Sequence, residues 1–135
     1  MDDRTMLELA AKAAGIEWIP ANTEKGIELE PVFGLWLKIH GEPYEGQRRR
    51  WNPLADDGDA LRLAVILGIS ITPYPIYAED ARHSVLAKQR RRSDTLRETN
   101  PTEVIELYRD DPCAATRRAI TRAAAEIQLA KESGK

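Results

Sequence analysis

The sequence is poor in the residues from which most catalytic and metal sites are built. It contains one cysteine, Cys113, and two histidines among 135 residues. A single cysteine excludes a disulfide framework and a cysteine-rich zinc site, and it is typical of a reducing compartment. His40 and His83 stand in no zinc-binding spacing, and no G-x-S-x-G nucleophile motif occurs. We therefore expect a protein that is not an enzyme and that needs no metal or cofactor.

A long apolar run is also missing, and we expect no secretory leader. No apolar run approaches the roughly 20 residues that a membrane span needs. Segment 1–15 begins acidic and then becomes amphipathic, which is unlike a signal peptide. With 42% hydrophobic and 31% charged residues, the chain is typical of one globular domain over 1–135. We expect this domain in the cytoplasm.

Hydrophobic spacing and breaker residues predict three helices. They cover, in order, 3–14 before Gly15, about 58–67 before Gly68, and about 112–130 with Asp111 as N-cap and Pro112 at the first position. Polar composition predicts a flexible loop at 90–101 and a frayed tail at 131–135.

Alternating apolar residues predict strands in other parts of the chain. They indicate a strand at 32–39 and a hairpin whose strands lie within 69–77 and 82–89, with Pro73 and Pro75 directing the first of these to a sheet edge or a bulge. Segment 102–108 fits either a helix or a strand, and its alternation slightly favours the strand. Together these elements predict an α+β fold. A small antiparallel sheet of three to four strands would carry packed helices as an α/β sandwich.

The second predicted helix contains the run ALRLAVIL, which is apolar on all sides except at Arg62. This composition predicts a mostly buried helix. Arg62 would then either extend along the helix to the surface or point into a polar pocket.

The last predicted helix has an unusual outer face. Its apolar stripe is the one expected to face the core, and Cys113 falls on that stripe. The opposite stripe lacks Lys–Glu pairs and consists of Ala114, Ala115, Arg118, Arg122, Ala125 and Leu129. Because small residues let another backbone approach closely, this face predicts a homo-oligomer formed through the last helix, with the two arginines at an anion-binding seam.

Arginines form clusters although the net charge is −2. The clusters are QRRRW at 47–51, KQRRR at 88–92 and TRRAITR at 116–122. A non-specific duplex binder is usually net basic, so separate clusters favour a compact anion such as phosphate. The alternative for any one cluster is an ordinary solubilising role.

A nucleotide-like ligand needs guanidinium groups for phosphate, a flat surface for the base and an amide for the base edge. The sequence offers all three. The candidates are Arg62, Arg90, Arg118 and Arg122 for phosphate, Trp51 and Tyr77 for the base, and Asn100 for its edge. Ordinary core and hairpin packing would also account for the aromatic residues.

Three segments together resemble one family, the phage ABA sandwich domain of small phage proteins. They are LELAAKAAGI, WNPLADDGDALRLAVILGISI and DPCAATRRAITRAAAEI, and they cover a little over a third of the chain. The resemblance implies an α/β sandwich. It also points to phage-encoded sponges that counter Thoeris and CBASS immunity by sequestering cyclic nucleotides between protomers without cleaving them. Carried onto this chain, it implies a phosphate contact at Arg118 in CAATRRA.

Two hypotheses from different classes follow. The first is a phage counter-defence protein, oligomeric in the host cytoplasm, that sequesters a small phosphorylated ligand such as a cyclic nucleotide immune signal. The alternative is an interaction protein that inhibits a host factor or binds nucleic acid through the clusters at 47–51 and 88–92. Neither hypothesis involves a membrane.

Overall fold

A computed structural model describes residues 1–20, 35–37, 49–74, 83–89 and 102–134. These residues contain three helices and six strands. They are, in chain order, α1 Asp3–Ala13, β1 Trp18–Pro20, β2 Leu35–Leu37, β3 Arg49–Trp51, α2 Asp57–Leu67, β4 Ile69–Pro73, β5 Ser84–Gln89, β6 Glu103–Leu107 and α3 Pro112–Ser133.

The helix ends follow the local signals of the sequence. Asp111 caps α3 by accepting from the Ala114 N–H at 3.0 Å, and Pro112 occupies the first turn. At the end of α1, Gly15 has a φ of 70°. The Ile16 N–H reaches the Ala11 carbonyl at 2.9 Å, which is the Schellman arrangement. The predicted stop at Gly15 and the predicted cap at Asp111 are confirmed.

Two antiparallel sheets of three strands each are present in the described residues, ordered β1-β2-β3 and β4-β5-β6. The predicted hairpin is confirmed, since Ile71 pairs with Ala87 and Pro73 with Val85. β4 is an edge strand, which is one of the two positions that Pro73 predicted. Segment 102–108 forms strand β6, as its alternation favoured. The described elements confirm the predicted α+β class.

The core lies between α3 and the sheet β4-β5-β6. The sheet contributes Val85, Ala87 and Val104 to this core, and α3 contributes the fully buried Ala119 and Ala123. Small side chains on the helix let it lie close to the strands. The same core cluster also includes Leu7 of α1, Leu63 of α2 and Trp51 of β3.

Helix α1 packs on α3 and runs parallel to it. Arg118 donates to Asp3 at the start of α1 at 3.0 Å, and Lys12 near its end donates to Glu132 at 3.0 Å. Arg118 and Glu132 share one helical stripe with Ala125, which is 0% exposed. The chain's own first helix therefore covers this stripe of the predicted outer face. The small residues on that stripe consequently give no support to an oligomer through α3.

Helix α2 is less buried than its composition predicts. Its inner face carries Ala60 and Leu63, but Leu61, Val65 and Ile66 are 60%, 73% and 57% exposed. The expectation of a mostly buried helix is wrong because the described elements pack against one side of α2 only. Cys113 was likewise expected in the core but is exposed. It lies in the first turn of α3, where it borders an open groove instead of the core.

The last helix is longer than predicted. It continues to Ser133 rather than ending near 130. The ion pair between Glu132 and Lys12 holds this final turn against α1. Within the described residues, no helix is long and apolar enough to cross a membrane.

Candidate ligand-binding groove

A groove of about 580 Å³ opens where β6 turns into α3 beside the start of α1. We call it the β6–α3 groove. Its lining consists of Asp3, Leu54, Glu106, Leu107, Tyr108, Arg109, Asp110, Asp111, Ala114, Ala115 and Arg118. The volume is within the range of small-molecule sites. Ala114 and Ala115 keep the floor open because their side chains are short.

One wall of the groove is an ion-pair network between three elements. The Glu106 carboxylate on β6 accepts from Arg122 at 2.9 Å and lies 3.9 Å from the Arg118 Nε. Arg118 also donates to Asp3 on α1. The Arg118 side chain is 41% exposed. The carboxylates of Asp3 and Glu106 therefore fix the position of the Arg118 guanidinium, which remains partly exposed to the groove.

Arg109 is a charged residue of this groove that the sequence analysis did not single out. It is exposed, and it makes no ion pair with any described residue. Its φ of 54° lies in the left-handed region, which is uncommon outside glycine. This backbone turn separates β6 from the Asp111 cap of α3. A local signal did exist, because an arginine stands in the short polar link between a predicted strand and a predicted helix.

The charge of the lining is mixed. Four carboxylates, on Asp3, Glu106, Asp110 and Asp111, stand against the guanidinium groups of Arg109 and Arg118. Asp111 is engaged by the Ala114 N–H, and Glu106 and Asp3 are engaged by arginines. Such a groove suits a ligand that carries a limited negative charge together with hydroxyl or amino donors. A densely charged polyanion would meet repulsion from the same carboxylates.

The predicted ligand residues separate into distinct groups. Arg118 lines the groove, and Arg122 lies behind it through Glu106. Arg62 lies elsewhere, on α2, where it donates to Asp59 at 2.8 Å. Trp51 was expected as a base-stacking surface, but it is 3% exposed in the core. The predicted residues Arg90, Tyr77 and Asn100 lie outside the described residues.

Two further cations of the clusters, Arg117 and Lys88, make contacts within the chain. Arg117 donates to the Leu54 carbonyl at 3.0 Å and to Asp57 at 2.7 Å, which ties α3 to the turn before α2. In the cluster 88–92, Lys88 pairs with Glu103 at 3.2 Å. These contacts use the positive charge within the chain.

A second, smaller groove of about 250 Å³ lies between α2 and α3. Leu61, Ile71 and Ile120 line it, with Cys113 at one side. Its apolar lining offers little for orienting a polar ligand. Among the described residues, no three His, Cys, Asp or Glu side chains come together as metal ligands would.

No family model matches the sequence, and comparisons with curated proteins and with solved structures give no match either. The resemblance to the phage ABA sandwich family therefore stays a prediction.

Proposed function

We propose that the β6–α3 groove binds a small phosphorylated molecule without chemically changing it. The observation that carries the proposal is Arg109, an exposed cation with no described carboxylate partner, on the same groove as Arg118. Two guanidinium groups on one groove match the planar, multidentate donor geometry that phosphate oxygens need.

The carboxylates of the groove narrow the ligand class. Asp110 is exposed and can accept hydrogen bonds from sugar hydroxyls or from the amino group of a base. The acidic lining disfavours long nucleic acid and polyphosphates. A cyclic nucleotide combines few phosphates with many hydroxyl and amino donors, so it fits this balance of charge.

Sequestration is the form of binding that this site supports. Three of the four carboxylates on the lining, those of Asp3, Glu106 and Asp111, are each held by an arginine or a backbone N–H, which favours holding a ligand over activating water. A protein that only holds a signal acts by mass action, so it must bind more tightly than the receptor and be abundant. We propose that it does so in the cytoplasm of a phage-infected host against a cyclic nucleotide immune signal.

Recovery of the bound ligand tests the proposal. The purified protein is incubated with cyclic dinucleotides, cyclic trinucleotides and cyclic ADP-ribose isomers, washed, and denatured by heat. We expect one compound to be released with unchanged mass. Retention of none of them contradicts the proposal, and release of a cleaved product shows an enzyme instead.

Single substitutions locate the site. We expect Arg109→Ala and Arg118→Ala each to weaken binding about tenfold or more, which corresponds to about 1.4 kcal/mol. Lys131→Ala is the matched control, because Lys131 is an exposed cation on α3 away from the groove. Equal binding by all three variants would exclude this groove as the site.

A second function is favoured by the apolar side of α2. Leu61, Val65 and Ile66 are exposed together on this helix, and such patches often mark contacts with other proteins. An inhibitor of a host factor would use this side. This second function predicts that Val65→Asp abolishes inhibition of the host factor, while the amount of ligand recovered stays unchanged.

A further inference from the structure

Tyr108 lies on the wall of the β6–α3 groove, one residue beyond the end of β6. Its N–H donates to the His83 carbonyl at 2.7 Å, and its carbonyl accepts from the Asp111 N–H at 3.2 Å. The backbone of Tyr108 is therefore held on one side by the residue before β5 and on the other by the cap of α3. The residue is 5% exposed and belongs to the core cluster, so packing fixes its ring.

Alternation along β6 directs the Tyr108 side chain to the side of the sheet that α3 covers. Val104 is buried on this side, and the Glu106 carboxylate reaches the Arg122 guanidinium of α3. Tyr108 continues the same alternation, since its N–H still bonds to the chain beside it as in an antiparallel ladder. The ring therefore extends toward the first turns of α3, where Ala115 lines the same groove.

The Tyr108 hydroxyl makes no hydrogen bond with any residue that the structure describes. Every fully enclosed side-chain oxygen or nitrogen of those residues has a hydrogen-bond partner, so this hydroxyl is not enclosed and reaches open space. The open space that Tyr108 borders is the β6–α3 groove. Because a buried tyrosine usually places its hydroxyl against a partner, the groove contains a donor that the fold itself does not use.

We propose that the Tyr108 hydroxyl donates a hydrogen bond to a phosphate oxygen of the bound molecule, a contact that rests on the function proposed above. The Arg118 guanidinium is already shared between Asp3 and Glu106, so a phosphate needs further donors. Arg109 follows Tyr108 directly in the chain and lines the same groove. The carboxylates of the lining serve the hydroxyl and amino donors of a nucleotide, which leaves the free O–H for the charged phosphate oxygens, its strongest acceptors.

Tyr108→Phe tests the contact because it removes only the hydroxyl group. The probes are the cyclic dinucleotides, cyclic trinucleotides and cyclic ADP-ribose isomers of the recovery experiment, and calorimetry gives the Kd of each retained compound. We expect Tyr108→Phe to raise this Kd about tenfold and to leave the urea midpoint unchanged, since the hydroxyl makes no hydrogen bond with a described residue. Tyr74→Phe is the matched control, because Tyr74 is 43% exposed and does not line the groove.

The outcomes separate this contact from the proposed function. If the parent protein retains none of the probes, the proposed function fails and the contact fails with it. If the parent retains a compound that Arg118→Ala binds weakly and Tyr108→Phe binds equally well, the groove is the site and the hydroxyl contact is overturned. A Tyr108→Phe protein that loses binding and stability together would show that the hydroxyl serves the fold, which also overturns the contact.

A phosphorothioate form of the retained compound tests which atom the hydroxyl meets. Sulfur accepts hydrogen bonds more weakly than oxygen, so one of the two diastereomers at phosphorus should bind the parent protein more weakly than the unmodified compound. The same diastereomer should lose nothing further in Tyr108→Phe, because the contact is already absent. Additive losses for both diastereomers would place the hydroxyl against another part of the molecule and overturn the assignment to phosphate.

Discussion

Arg122 of α3 donates a hydrogen bond to Glu106 of β6 at 2.9 Å, and this contact joins the longest helix to an edge strand. The Glu106 side chain is 18% exposed, while that of Arg122 is 41% exposed. The pair is therefore partly shielded from water. It also holds the carboxylate that faces Arg118 in the groove.

Replacing this carboxylate should cost stability. We expect Glu106→Gln to lower the free energy of unfolding by about 1 kcal/mol, because an amide keeps the shape but loses the charge that Arg122 and Arg118 meet. Urea denaturation measures the change. Glu126→Gln is the control, since Glu126 on α3 makes no ion pair with a described residue. An equal loss in both variants would show that the Glu106 network contributes nothing specific.

Enlarging Ala125 should disturb the fold itself. Ala125 is fully buried under α1, so Ala125→Trp forces the two helices apart and should cost about 3 kcal/mol or more. Leu129→Trp changes an exposed position of the same helix and should leave the denaturation midpoint nearly unchanged. A stable Ala125→Trp variant whose only defect is in assembly would contradict this expectation. It would show that the stripe is an interface between chains.

The Asp2 side chain that caps α1 should make the stability of the protein depend on pH. Hydrogen bonds from the Thr5 side chain and then from the Thr5 N–H hold the pKa of the Asp2 carboxyl below its ordinary 3.8. A pKa lowered by folding contributes stability above the unfolded value, and this contribution is lost as pH falls through the folded value.

A pH series of melting temperatures measures this effect. We expect Asp2→Ala to melt below the parent protein at neutral pH, and the difference to shrink as the pH falls below 3.8. Asp2→Asn keeps a capping acceptor that does not titrate. Its melting temperature should therefore approach or exceed that of the parent protein in acid. A difference for Asp2→Ala that stays constant with pH would exclude a charged cap.

Cys113 should react without unfolding. Because this thiol is exposed and is the chain's one cysteine, a disulfide reagent such as Ellman's reagent should modify one equivalent in the native protein. The rate in urea should exceed the native rate by only a few fold. Labelling that requires denaturant would show that Cys113 is buried in the core.

The sequence predicts best what depends on neighbouring residues. The cap at Asp111, the stop at Gly15 and the edge position of the strand containing Pro73 follow from backbone geometry within a few residues. The alternation of segment 102–108 likewise favoured a strand, and β6 forms there. These features need no knowledge of distant contacts.

The sequence predicts less well how many sides of an element are covered. A helical wheel groups Ala125 with Arg118, but it does not show that α1 lies on them. The same limit explains why Val65 of α2 was expected inside and Trp51 was expected at a ligand. Arg109 was missed because its position on the groove depends on a left-handed turn. That turn sets it on the same groove as Ala115 and Arg118 of α3.

The pairing of α1 with α3 has a consequence for synthesis. Asp3 and Arg118 are 115 positions apart, and Lys12 and Glu132 are 120 apart. A ribosome makes chains from the N-terminus, so α1 emerges long before its partner helix exists. Until α3 is made, the side chains of Met6 and Leu7 stay exposed to water or bound to a chaperone. Such distant closure slows folding, and a chain truncated before α3 would leave these side chains uncovered.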